Sequence, residues 1–157
     1  MVQQIIEPGI SGTVRHLFDE EVHLTGIMEY GVSWEDLTAG QVVPPLQGAR
    51  FDISFEGELH GENIRGKIKG VDYLEVRADG KFLLNIYATI LTHDGETIAL
   101  HETGILEPQA DQTARLHLNM DFSTASEKYL WINAKQVWGT GQVNMSTGTV
   151  TVRGFAN

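Results

Sequence analysis

Two Asp-Gly pairs, Asp79-Gly80 and Asp94-Gly95, each stand between runs rich in Val, Ile, Leu, Thr, Tyr and Phe, and this punctuation constrains the chain more than any other feature. An Asp-Gly pair supplies the positive backbone angles of a two-residue hairpin turn, so each predicts two neighbouring antiparallel strands in fixed register. Seventeen glycines, scattered singly through 157 residues, continue the pattern of short strands and tight turns. SWEDL (33–37), with Ser33 as N-cap, and STASEKYL (123–130) each predict one helical turn in a connection. QVVPPLQGA (41–49) reads as a crossing inside one domain, and with no repeat or linker the whole chain, 1–157, forms a single unit. The predicted fold is all-β, an antiparallel barrel that is lipocalin-like or a similar closed sheet, with roughly eight to ten strands.

Two-residue turns at those sites set Leu83 opposite Val76, Asn85 opposite Leu74 and Tyr87 opposite Asp72, then Tyr87 opposite Glu102. Asp72, Tyr87 and Glu102 are therefore expected side by side across three strands. A turn at His60-Gly61 sets Glu56 against Arg65 and Asp52 against Lys69, opposite charges facing each other. If the strand from Ile64 to Val76 carries no bulge near Gly70, alternation assigns Phe51, Ile53, Phe55, Ile64, Ile68, Leu74, Val76, Leu83, Leu91, Ile98 and Leu100 to the interior. The same alternation turns Phe82, Leu84, Ile86, Ala88 and Ile90, with Tyr73, outward. Such a row needs a cover, either the segment with Val22, Leu24, Ile27 and Met28 or a second copy, so a homodimer or higher homo-oligomer is expected.

Composition removes several classes of function. The chain has no cysteine, which excludes disulfides, thiolate nucleophiles and cysteine-bound metals and suits a cytoplasmic location. Eleven Lys and Arg against 21 Asp and Glu give a net charge of −10, which repels phosphate backbones and anionic lipid, so neither nucleic acid nor membrane is an expected partner. The N-terminal stretch lacks the basic and apolar pattern of a secretory leader, and no apolar run reaches membrane-spanning length.

The sharpest chemical signal is Asp72 and Glu102 flanking Tyr87 on an otherwise apolar face. Two carboxyls buried together cannot both ionise cheaply, which provides an acid and a base near neutral pH; the plain alternative is that they lie in water at an open barrel end. Asn85 falls on the same face. Tyr129, Trp131 and Asn133 alternate along one predicted strand, where aromatic rings beside an amide suit a planar organic ligand or, equally, a core or interface. The six histidines show no helix-type metal spacing, and no nucleotide, serine-hydrolase or zinc-protease motif occurs, so no metal and no cofactor is expected.

GVDYLEVRADGKFLLNIYATILTHDGETIAL (70–100) and YLWINAKQVWGTG (129–141) resemble the bacterial domain-of-unknown-function 3237 family, in which an Asp-aromatic strand and Asp-Gly hairpins accompany a C-terminal Tyr-x-Trp-x-Asn strand. The resemblance runs from about Arg50 onward and implies a small, often oligomeric β-barrel of mostly unassigned activity. It further implies relatives that act on aromatic compounds as cofactor-independent lyases or decarboxylases. Asp72, Tyr129, Trp131 and Asn133 fall at the family's characteristic positions, while Tyr73 stands where the family pattern carries Trp. Together these readings point to a pocket for a small aromatic or hydroxylated carbonyl compound, with Asp72, Glu102 and Tyr87 as catalytic groups and Asn85, Tyr129, Trp131 and Asn133 as ligand contacts. The alternatives are a binding module without catalysis and a structural oligomer subunit with a solid core.

Overall fold

Short apolar-polar alternation becomes a run of antiparallel strands in the computed structural model, which describes the backbone of residues 2–7 and 10–157 and side chains from residue 14 onward. Residues 1, 8 and 9 of the N-terminal stretch lie outside the described residues. The strands are β1 (Val2–Glu7), β2 (Ile10–Glu29), β3 (Ala49–His60), β4 (Arg65–Val76), β5 (Phe82–Thr92), β6 (Thr97–Pro108), β7 (Thr113–Ser123), β8 (Val137–Asn144) and β9 (Thr149–Ala156). Each pairs with the next, and a further pairing of β2 with β9 closes β2 to β9 into an eight-stranded barrel. The 20-residue β2 makes this closure possible, since it meets β9 over Arg15 to His23 and β3 over Asp19 to Glu29. Register shifts beside Leu17 and Thr25 bend it around the barrel wall, as bulges do. Among the described residues no helix is long and apolar enough to cross a membrane.

Turn length decides which residues face inward. At both Asp-Gly sites the loop holds three residues, where two were expected. Arg77 N–H donates to the Lys81 carbonyl at 2.9 Å, leaving Ala78, Asp79 and Gly80 as the loop, and Thr92 N–H donates to the Glu96 carbonyl at 2.8 Å around His93, Asp94 and Gly95. Gly80 and Gly95 both sit at φ 89°, the left-handed residue that ends this kind of loop. One extra residue moves the register by one and exchanges the two faces of the next strand. Asp72 therefore pairs with Ile86 and Val71 with Tyr87. Phe82, Leu84, Ile86, Ala88 and Ile90 point into the core, and Leu83, Asn85, Tyr87 and Leu91 do not. The outward apolar row expected from sequence is thus interior, and it gives no reason for a second copy.

The second three-residue loop restores the original assignment on β6, where Ile98, Leu100 and Glu102 are buried. On β3 and β4 the interior is Phe51, Ile53, Phe55, Ile68, Leu74 and Val76, because the β3–β4 register runs without a shift through Gly70. The turn before β4 spans 61–64 and not His60-Gly61, so Glu56 meets Lys69 and Glu58 meets Lys67. That slip is four residues, an even number, and leaves the faces unchanged.

The segment read as a Tyr-x-Trp-x-Asn strand is a 3-10 helix, Glu127–Ala134, that crosses one end of the barrel between β7 and β8. Tyr129 and Ile132, three residues apart, fall on the same side of such a helix and are buried. Tyr129 Oη donates to Asp94 Oδ1 at 2.8 Å, Lys128 Nζ also meets Asp94, and Asn133 exchanges hydrogen bonds with the Thr124 backbone. At the same end Gly154 lies against the fully buried Phe18, where a Cβ would stand 2.4 Å from the ring. Gly154→Ala is expected to cost about 1–3 kcal/mol by overpacking, read as a lower urea midpoint; an unchanged midpoint would mean that Phe18 yields freely.

Candidate active site

Alternation along β2 turns Phe18, Glu20 and Val22 inward, and the same period turns Asp72 inward on β4 and Glu102 on β6. These three carboxyl groups are 4%, 8% and 2% exposed. One strand, β3, separates Glu20 from Asp72, and one more, β5, separates Asp72 from Glu102. In a closed ring of eight strands this sets Glu20 and Glu102 on opposite walls, with Asp72 between them.

All three line one cavity of about 80 Å³. Its other walls are hydrocarbon, including Val22, Ile53, Phe55, Leu84, Ile86, Leu106, Leu116, Leu118, Val143 and Val152. Among the described residues the lining holds no Lys, Arg or His. Leu24, Trp34 and Met145 are the lining residues only partly buried, and they mark where the cavity meets the surface. Trp34 belongs to α1 (Trp34–Thr38), the single turn expected from SWEDL, with Ser33 Oγ accepting from Asp36 N–H as the cap. Its ring meets Phe51 edge to face at 5.0 Å.

Burial dominates the electrostatics. Loss of water raises Glu20 to about 7. It raises Asp72 to about 7 as well, although Asp72 Oδ1 accepts the Asn85 backbone N–H at 3.0 Å, which stabilises the anion. That bond sits where the β4–β5 ladder is interrupted, between the Asp72–Ile86 and Glu75–Leu83 pairs. Glu102 is pushed well above the ordinary glutamate value, first by burial and then by repulsion from Glu20 and Asp72. Glu20 Oε2 is enclosed and has no hydrogen-bond partner among the described residues. A carboxyl that keeps its proton, facing others that release theirs near neutral pH in a dry cavity, can donate to and accept from one bound molecule.

Of the residues singled out from sequence, Asp72 and Glu102 come together in this cavity, with Ile86 between them on β5. Tyr87 is outside, 54% exposed, stacked on His101 at 4.4 Å; His101 Nε2 in turn meets Asn85 Oδ1 at 2.9 Å. Tyr129, Trp131 and Asn133 belong to the 3-10 helix beside the β5–β6 turn, whereas the cavity reaches β5 and β6 at Leu84, Ile86, Glu102 and Leu106, toward the other end. Glu20 is the functional candidate that the sequence reading lacked. Its signal is the alternation Phe18, Glu20, Val22, Leu24, visible once residues 17–24 are taken as a barrel strand. Among the described residues no three His, Cys, Asp or Glu side chains gather as a metal site.

Comparison with known proteins agrees on the fold. A family described as "Protein of unknown function (DUF3237)" matches residues 35–156. The hydroalkoxylation enzyme phnH of Penicillium herquei is 32% identical over 85 residues, 54% of this chain, and the match spans 51% of that enzyme's length. A protein of unknown function from Clostridium acetobutylicum superposes with a TM-score of 0.75 at 20% identity, over 91% of this chain and 97% of its own. A β-barrel-like protein from Acinetobacter baumannii gives 0.73 at 20% identity, over 99% and 96%. An enzyme from Penicillium herquei gives 0.60 at 22% identity, over 90% and 92%.

Proposed function

This chain belongs to the DUF3237 family of proteins of unknown function, and on that premise we propose that it is a cofactor-independent enzyme that moves protons onto and off a small, uncharged, mostly apolar molecule inside the barrel. The observation that carries this reading is the trio Glu20, Asp72 and Glu102, buried in a cavity whose other walls are hydrocarbon. Burying carboxyls without cations destabilises a fold, and a plain binding module for an apolar molecule has no need of three.

The lining also narrows the reaction. A decarboxylase substrate is itself a carboxylate, and it would enter a cavity that already holds three acidic groups and no Arg, Lys or His. Isomerisation, or addition across a carbon–carbon double bond, needs only that one group give a proton and another take one. The hydroalkoxylation enzyme phnH supports the second class, since adding an alcohol across a double bond is a proton-in, proton-out reaction.

The test uses phenols that carry an alkenyl side chain ortho to the hydroxyl, incubated with the protein in D₂O. The expected product is the cyclic ether with one deuterium on a former alkene carbon, formed well above the rate in buffer. Recovery of every such phenol uncyclised and free of carbon-bound deuterium would count against the reading.

A further inference from the structure

Proton transfer at opposite ends of one molecule requires an acid and a base on different walls. Glu102 on β6 and Glu20 on β2 lie four strands apart in the closed ring of eight, so they face each other across the cavity. Asp72 is placed differently, midway between them, with one oxygen already accepting the Asn85 amide. Glu20 has no comparable commitment. Its side chain is 4% exposed, and its Oε2 has no partner among the described residues. A buried carboxyl oxygen left without a donor is costly, and a donor supplied by a ligand would relieve that cost. Glu20 also stands outside residues 35–156, the stretch shared with the family.

We propose that Glu20 receives the hydroxyl of the substrate, which is therefore an alcohol or phenol carrying its double bond toward Glu102. This rests on the proton-transfer reading above and adds the base and the substrate class to it. In the step, the π electrons of the double bond take the carboxyl proton of Glu102, leaving a cationic carbon. A lone pair of the hydroxyl oxygen forms the new C–O bond while the O–H bond breaks, its electrons staying on oxygen and its proton passing to the Glu20 carboxylate. Glu102 ends ionised and Glu20 protonated. Exchange with water entering past Leu24, Trp34 and Met145 resets both after the product leaves, so the net reaction is an isomerisation that consumes nothing.

Ligand-observed NMR titrations of 2-allylphenol and its methyl ether test this directly. The native protein should bind the phenol at least about tenfold more tightly than the ether, because a site built to pair a hydroxyl rejects the analogue without one. Glu20→Leu should level the two affinities, and Glu20→Met, which keeps the side-chain length without an oxygen acceptor, serves if the leucine variant fails to fold. Glu102→Gln should keep the preference. An undiminished preference for the phenol in the Glu20 variants overturns the proposal, as does a native protein that binds both alike or neither. Deuterium incorporation in D₂O separates the two levels. If it persists in Glu20→Leu with the phenol preference intact, only the role of Glu20 falls. If the native protein incorporates none yet shows a Glu20-dependent preference, the hydroxyl contact stands and the proton-transfer reading falls.

Discussion

Glu102→Gln is expected to lower turnover by at least about a hundredfold, the usual scale for removing a general acid, and at the same time to raise the melting temperature at pH 8. The side chain is 2% exposed and sits among hydrocarbon, with the charges of Glu20 and Asp72 acting on it. The amide preserves the shape and the capacity to donate a hydrogen bond, but it has no proton to release to carbon. At pH 8 the native cavity must ionise carboxyls that repel one another, and the neutral amide removes one source of that repulsion. The stabilisation should shrink toward pH 5, where the cavity carboxyls of either protein are protonated. Undiminished activity would remove Glu102 from the chemistry. A lower melting temperature at pH 8 would mean that its carboxyl supports the fold.

The native protein should be most stable near pH 4 and lose stability as the pH rises to 8. Glu20 and Asp72, each raised to about 7 from 4.5 and 3.8, bind their protons more tightly in the folded chain than in the unfolded one. Stability contributed this way is complete below the unfolded value and is lost as pH climbs through the folded value. For Asp72, moving from 3.8 to about 7 corresponds to a loss of about 4 kcal/mol by pH 8. Asp94 works in the other direction, because Lys128, Thr92 and Tyr129 hold it below the usual carboxylate range. Its contribution is present above about pH 4 and lost as pH falls, which sets the acid side of the optimum. Chemical denaturation at pH 4, 5, 6, 7 and 8 measures the profile. In a variant with Gln at 20 and 102 and Asn at 72, the fall between pH 5 and 8 should nearly vanish. A native profile that is flat or rising over that interval would place the three carboxyls in water.

The barrel was legible because single glycines and alternating strands encode neighbour-to-neighbour antiparallel pairing. The inward face of β4 was legible too, since no bulge at Gly70 disturbs its alternation. What the residues hid was loop length. An Asp-Gly pair suits both a two-residue turn and the last two positions of a three-residue loop; the former needs positive φ at the aspartate as well as the glycine, whereas here only Gly80 and Gly95 of each pair adopt it. Two successive slips of one residue reversed β5 and then restored β6, so Glu102 stayed inside while Tyr87 and Asn85 left. The unbroken apolar row from Phe82 to Ile90 was evidence for the correct face, because burying it needs no partner.

Glu20 was hidden for a different reason. Reading Val22 and Leu24 as a cover over the sheet prevents the alternation of Phe18, Glu20 and Val22 from registering as a barrel wall. The pairing of β2 with β9, whose partners stand 126 (His23 and Thr149) to 141 (Arg15 and Ala156) residues apart in the sequence, is a long-range closure that no local signal announces. Tyr129, Trp131 and Asn133 carry the spacing of a strand, yet the connection from β7 to its neighbour β8 folds as a short helix that buries Tyr129 and Ile132, three residues apart.

At neutral pH the cavity should retain a carboxyl proton. Side-chain carboxyl carbon shifts, followed by NMR from pH 4 to 9 in protein labelled with ¹³C at aspartate and glutamate and assigned with the Glu20→Gln, Asp72→Asn and Glu102→Gln variants, measure it most directly. Midpoints near 7 for Glu20 and Asp72, with Glu102 still protonated at neutral pH, are the expected result. Midpoints below 5 for all three would contradict it.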